Sequence, residues 1–134
     1  MTEGNKKDNI KIQLEKASEI LKEANLLFEN NLVRGAVSRL YYYLLHTVRA
    51  LLLTKGLEPK SHEGVLRVFG QYFIREGILE ARFSHIFARL MKYREEADYN
   101  PAYVVSKDDF VEFRKEAEVM CDKINSYLKQ KGYA

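Results

Sequence analysis

The sequence predicts an all-α protein, an up-and-down helical bundle of four to five helices. Apolar residues recur at helical spacing through most of the chain. The segments with that spacing are separated by short turn signals: "ENN" at 29–31, "KGLEP" at 55–59 and "DYNP" at 98–101. No segment alternates apolar and polar residues between turns, as a half-buried strand would.

The first helix is predicted over about 8–30, where Ile10, Leu14, Ala17, Leu21, Ala24 and Phe28 share one face. The second covers about 32–55 and ends at Gly56, with Pro59 beyond. Ser61 opens the third, about 62–76, which Gly77 closes. The fourth runs over about 79–97, up to Asn100 and Pro101. Ser106, with Asp109 three residues on, forms a capping box in its acidic variant and opens the fifth, about 107–131. That last helix balances six basic against six acidic residues, so it reads as a packing element. Cys121 lies on its apolar stripe and reads as a buried filler rather than a nucleophile.

The 134 residues suit one domain, 1–134, and 46% of them are apolar. Such a chain can bury a core without metals or disulfides. A single cysteine excludes an internal disulfide framework. No apolar run approaches the ~20 residues of a membrane span, and the first residues show no secretory signal. A cytoplasmic protein is expected. The net charge is +3, but residues 32–55 carry four basic residues and no acid, and residues 65–94 six against two. A basic middle favours anionic partners such as nucleotides or RNA. Pairing with acids of the terminal helices would equally account for it.

The stretch "SRLYYYLLHTVRALLL", 38–53, asks why a core helix carries Arg39, Tyr42, Tyr43, His46 and Arg49. On a wheel of 100° per residue, Val33, Val37, Leu40, Leu44, Val48 and Leu51 fall together, with Tyr41, Leu45 and Leu52 beside them. Gly35, Arg39, Tyr42, Tyr43, His46, Arg49 and Ala50 fall opposite, as one cationic and aromatic face. That face has no Lys or Glu, unlike a solvated one. Tyrosine and arginine together suit an interface or stacked bases. A packing face against another helix or subunit is the plainer reading, and a site at a dimer seam satisfies both.

A second constellation ends the fourth helix. Its apolar stripe, Phe83, Phe87, Leu90 and Met91, continues into Arg94 and Asp98, and Tyr99 follows. A charged pair leaving an apolar stripe is costly unless it is paired or used. An ordinary i,i+4 pair is the plain alternative, worth ~0.2–0.5 kcal/mol if exposed. Lys60 and His62 stand at a helix start, where backbone N–H groups can meet an anion. No zinc spacing, phosphate loop or serine elbow is present, so no metal and no cofactor are expected.

"AVSRLYYYLLHTVRALLL", then "PKSHEGV", then "KYREEADYNP", in that order, resembles the HEPN superfamily, the small helical domains found with nucleotidyltransferases. The resemblance covers roughly half the chain. It implies a bundle that usually dimerises, and a role in nucleotide or RNA transactions, often beside a minimal nucleotidyltransferase in a two-gene system. Active members are metal-independent ribonucleases whose motif is an arginine, four to six residues, then a histidine. Arg94 matches that arginine, Glu95 the polar position after it, and Asp98 the site four residues on. Where the shortest form of the motif places histidine, this chain has Tyr99, a poor base at neutral pH.

The expected site is therefore a cleft lined by Arg39, Tyr43, His46, Arg94, Asp98 and Tyr99, with Tyr42, Arg49, Lys60 and His62 as further binding candidates. Arg94 is expected within a few ångströms of Tyr43 or His46, or of their dimer mates. The leading expectation is a nucleotide- or RNA-binding homodimer that partners a nucleotidyltransferase in a toxin–antitoxin-like pair. The alternatives are a metal-independent ribonuclease in which His46 replaces the missing histidine, and a purely structural helical dimer.

Overall fold

The computed structural model describes residues 2–134, which form five α-helices and no strand among the described residues. They are α1 (Glu3–Glu29), α2 (Val33–Leu53), α3 (His62–Phe69), α4 (Arg82–Tyr99) and α5 (Lys107–Gln130). None is long and apolar enough to cross a membrane.

Local chemistry sets most boundaries. Helix α1 starts five residues earlier than its apolar spacing predicts, because Thr2 Oγ1 accepts from the Asn5 N–H at 3.1 Å. It stops where Asn31 takes the left-handed conformation at φ 64°. The Ser61 and Ser106 caps form as expected, and Asp109 completes the box at Ser106. The third helix departs from expectation. Its α-helical part ends at Phe69 and a π turn, Gly70–Ile74, follows.

Helix α2 is the central element and packs against each of the other four helices. Thirteen of its 21 residues are buried, among them Leu40, Tyr41, Tyr43, Leu44, Val48 and Leu51. Phe83, Phe87 and Leu90 of α4, and Phe110, Ala117, Cys121 and Ile124 of α5, close on it. Burial pushes the Cys121 thiol up to about 12, so it stays protonated.

The second face of α2 is covered from within the chain. A Cβ on Gly35 would sit 3.5 Å from Leu27, and Ala50 is fully buried. Arg39 Nε lies 3.7 Å from Glu23 Oε1, and His46 Nδ1 lies 2.7 Å from Gln13 Oε1. Helix α1 supplies all three partners, so polar residues of α1 match polar residues of α2.

Candidate functional site

Arg94 is the most buried charged residue of the chain, at 8% exposure. Its guanidinium lies over two rings of α2, 5.3 Å from the Tyr41 centroid and 5.7 Å from that of Tyr42. Such stacking offsets part of the desolvation of a buried cation. Nη2 lies 3.0 Å from His62 Nδ1, and Nη1 lies 3.7 Å from Asp98 Oδ2. Two buried atoms here have no partner, Arg94 Nε and the Tyr41 hydroxyl. Burial raises the Tyr41 pKa, against the pull of Arg94, so the phenol stays neutral.

His62 reaches Arg94 because the chain before α3 is tightly held. The Gly64 N–H donates to Ser61 Oγ at 2.9 Å. A Cβ on Gly64 would stand 2.8 Å from that oxygen and 3.3 Å from Pro59 Cβ, so only glycine permits this cap. Arg49 Nη1 donates to the Pro59 carbonyl at 3.0 Å, and Nη2 reaches the Lys60 carbonyl at 3.5 Å. The imidazole rests on the tyrosines, 5.5 Å from Tyr41 and 5.9 Å from Tyr42. Burial, then the charges of Arg94 and Arg49, lower its pKa, while Glu63 and Glu95 oppose them. His62 is thus a neutral imidazole at neutral pH.

On the far side, Arg34 of α2 fixes the chain that leaves α4. Its guanidinium donates to the carbonyls of Asn100 at 2.8 Å, Pro101 at 3.0 Å and Tyr103 at 2.7 Å. Asn100 also donates to Glu96 at 2.7 Å. Between these supports lies an open cleft of about 480 Å³, lined by Arg94, Glu95, Glu96, Tyr99 and Asn100.

Arg94, Asp98, Tyr42 and His62 therefore meet, Tyr99 stands at the cleft, 75% exposed, and Lys60 is exposed two residues from His62. Arg39, Tyr43 and His46 do not join them. Within one chain the expected neighbours of Arg94 are corrected accordingly: it meets Tyr41, Tyr42 and His62 rather than Tyr43 or His46. Arg39 and His46 face α1, while Tyr43, 7% exposed, faces Cys121 of α5. The expected second face spans more than 100° of the helix, too wide for one partner. Arg49 acts through the loop it holds. The sequence pattern does not single out Tyr41 or Arg34 as site residues. Tyr41 lies one position from Tyr42, and the acid-free run 32–55 was the available sign that Arg34 had other work than ion pairing.

Chemically, Arg94 can hold an anion but cannot take a proton at neutral pH. Tyr42, half-buried, shares its ring between Arg94 and His62. Asp98 is the one carboxylate within 4.0 Å of Arg94 among the described residues.

A family profile described as the HEPN domain matches residues 10–127. A Methanocaldococcus jannaschii protein named "Putative toxin MJ0605" is 40% identical over 124 residues, 92% of each chain. A second from that organism, "Putative toxin MJ0142", is 32% identical over 89% of this chain and 81% of its own. A Thermotoga maritima protein named "UPF0332 protein" is 32% identical over 85% of this chain and 86% of its own. With its five helices and this match across nearly its whole length, the chain belongs to the HEPN family.

Proposed function

We propose that the protein binds the phosphate of a nucleotide or RNA in the cleft at Arg94 and acts as the partner of a nucleotidyltransferase in a toxin–antitoxin-like two-gene system. One observation carries the binding. The Arg94 cation is buried, and its nearest charge partner, Asp98, stands at 3.7 Å, long for a charged hydrogen bond. A phosphate oxygen would supply what the guanidinium lacks, and Tyr42 would offer a base a stacking surface. Arg94, Asp98 and Tyr99 are the groups next to the bound phosphate in this reading. Lys60, exposed two residues from His62, would add positive charge nearby. The toxin names of the relatives support the two-gene setting. The test is titration with short RNA at several salt concentrations. Affinity should fall as salt rises, and Arg94→Met should abolish it. Salt-independent binding, or binding untouched by Arg94→Met, would refute the site.

The homodimer reading rests on other residues than first expected, since α1 covers the tyrosine–arginine face. Leu32 and Val104, 56% and 88% exposed, line one apolar groove and suit a second copy. A second reading, metal-independent ribonuclease, would need a base at the cleft; the histidine that reaches Arg94 is His62 rather than His46.

A further inference from the structure

We infer that His62 serves the cleft as a hydrogen-bond donor, a neutral imidazole with its proton on Nε2, and not as a base. The inference rests on the RNA-binding reading and specifies what that site recognises: a phosphodiester oxygen, which can only accept. The geometry is direct. Arg94 Nη2 has only protons to offer, so His62 Nδ1, at 3.0 Å, must present its lone pair. A neutral imidazole with an occupied Nδ1 lone pair carries its proton on Nε2. That nitrogen makes no hydrogen bond within the described chain and is not among the buried unpartnered atoms. It is therefore a donor without a partner and not fully enclosed, on a half-buried ring beside a cation and two tyrosine rings.

His46 has the opposite arrangement. Its Nδ1 donates to Gln13 Oε1, and its lone pair is on Nε2. The two histidines thus differ in what they can do, and only the one at Arg94 is denied the role of base.

The groups facing His62 are Arg94 and Glu95 of α4, Arg49, Tyr41 and Tyr42 of α2, and Glu63 beside it on α3. Protonating Nδ1 would set its proton against those of Arg94 and break the contact. An imidazolium that paired with phosphate would strengthen binding on acidification, whereas a neutral donor would not.

Two measurements on the full chain decide this. The first is the nitrogen-15 spectrum of the imidazoles at neutral pH, where His62 should show a protonated Nε2 and a bare Nδ1. A protonated Nδ1 would overturn the inference. The second is binding of a single-stranded oligouridylate of about six residues, without terminal phosphates, so that its charge is constant between about pH 5 and 8. Affinity should stay flat through the ordinary imidazole range and fall only below it, because the His62 pKa is lowered in the folded chain. Any rise on acidification would overturn the donor role. His62→Gln, whose amide places a donor near the Nε2 position, should bind within about threefold of the parent. His62→Phe, which keeps the ring packing, should lose about tenfold, the worth of one hydrogen bond. Equal loss in both variants would count against the donor role. If the parent binds no oligouridylate, the RNA-binding reading and the donor role fall together, and the nitrogen spectrum still decides the tautomer.

Discussion

Replacing Arg34 by Met removes the guanidinium that closes the C-terminal end of α4 and keeps most of the apolar stem. Three carbonyls lose a charged donor at 3.0 Å or less: Asn100, Pro101 and Tyr103. The fourth contact, to Ala97 at 3.5 Å, is at the limit and adds little. Hydrogen bonds from a charged group contribute about 1.5–3 kcal/mol each when fully desolvated. Here the group bonding Pro101 is exposed, and that carbonyl recovers water once the arginine is gone. Favourable placement at a helix C-terminus adds ~0.3–1 kcal/mol. A net loss of about 2–4 kcal/mol is expected. Urea unfolding should show a lower midpoint with an unchanged slope. Hydrogen exchange should quicken at the Tyr103 amide, which bonds to the Asn100 carbonyl. Arg34→Lys keeps the charge but not the fork, and should recover less than half of the loss. A cost below about 1 kcal/mol for Arg34→Met would mean that the buried sides of Tyr103 and Val105 hold the loop without it.

Both His46 and His62 have lowered pKa values, chiefly from burial. The folded chain then binds fewer protons than the unfolded one just below the ordinary imidazole range. Stability should be full above about pH 6.5 and decline as pH falls from there toward the folded values. Melting temperatures that rise on acidification through that window would contradict this. Gly64→Ala should cost about 1–2 kcal/mol by pushing Ser61 out of its cap, and the histidine nitrogen spectrum should show the Arg94–His62 contact loosened. Short RNA incubated in EDTA should stay intact. Cleavage that leaves a 2′,3′-cyclic phosphate and disappears in His62→Phe or His46→Ala would promote the ribonuclease reading, and gain of cleavage in Tyr99→His would show that the other groups are in place. Light scattering should report a dimer that Val104→Glu weakens, while Arg39→Glu, whose partner is an exposed Glu23 of the same chain, leaves assembly intact.

The helices were legible because their ends are local chemistry. Ser61, Ser106 with Asp109, Asn31 and Gly56 act within a few residues of themselves. The π turn at Gly70 was not legible, since it differs from an α turn by one hydrogen-bond step. Arg94 and Asp98 could be singled out because a charged pair continuing an apolar stripe is visible on a wheel. Their companions could not be. Neighbouring residues on α2 differ by 100°, yet Tyr41 and Tyr42 both reach Arg94 and His62 while Tyr43 turns to α5, and spacing alone does not say which helix lies at each. In the sequence Arg39 and His46 look like site residues because their partners, Glu23 and Gln13, are on α1, and pairing across helices leaves no sign there. The family match agrees with the helical fold. It does not supply His62, which arrives from another helix.

Cys121, fully buried against Thr47 and Tyr43, is the only thiol in the chain. No reagent can touch its sulfur while α5 is docked on α2. Alkylation therefore proceeds only through molecules whose core has come apart, and its rate at high reagent concentration equals the rate of that opening. For the same reason, two intact copies cannot be joined through a disulfide. Any covalent pair seen on a non-reducing gel would come from chains that had lost their fold, and would say nothing about how folded copies associate.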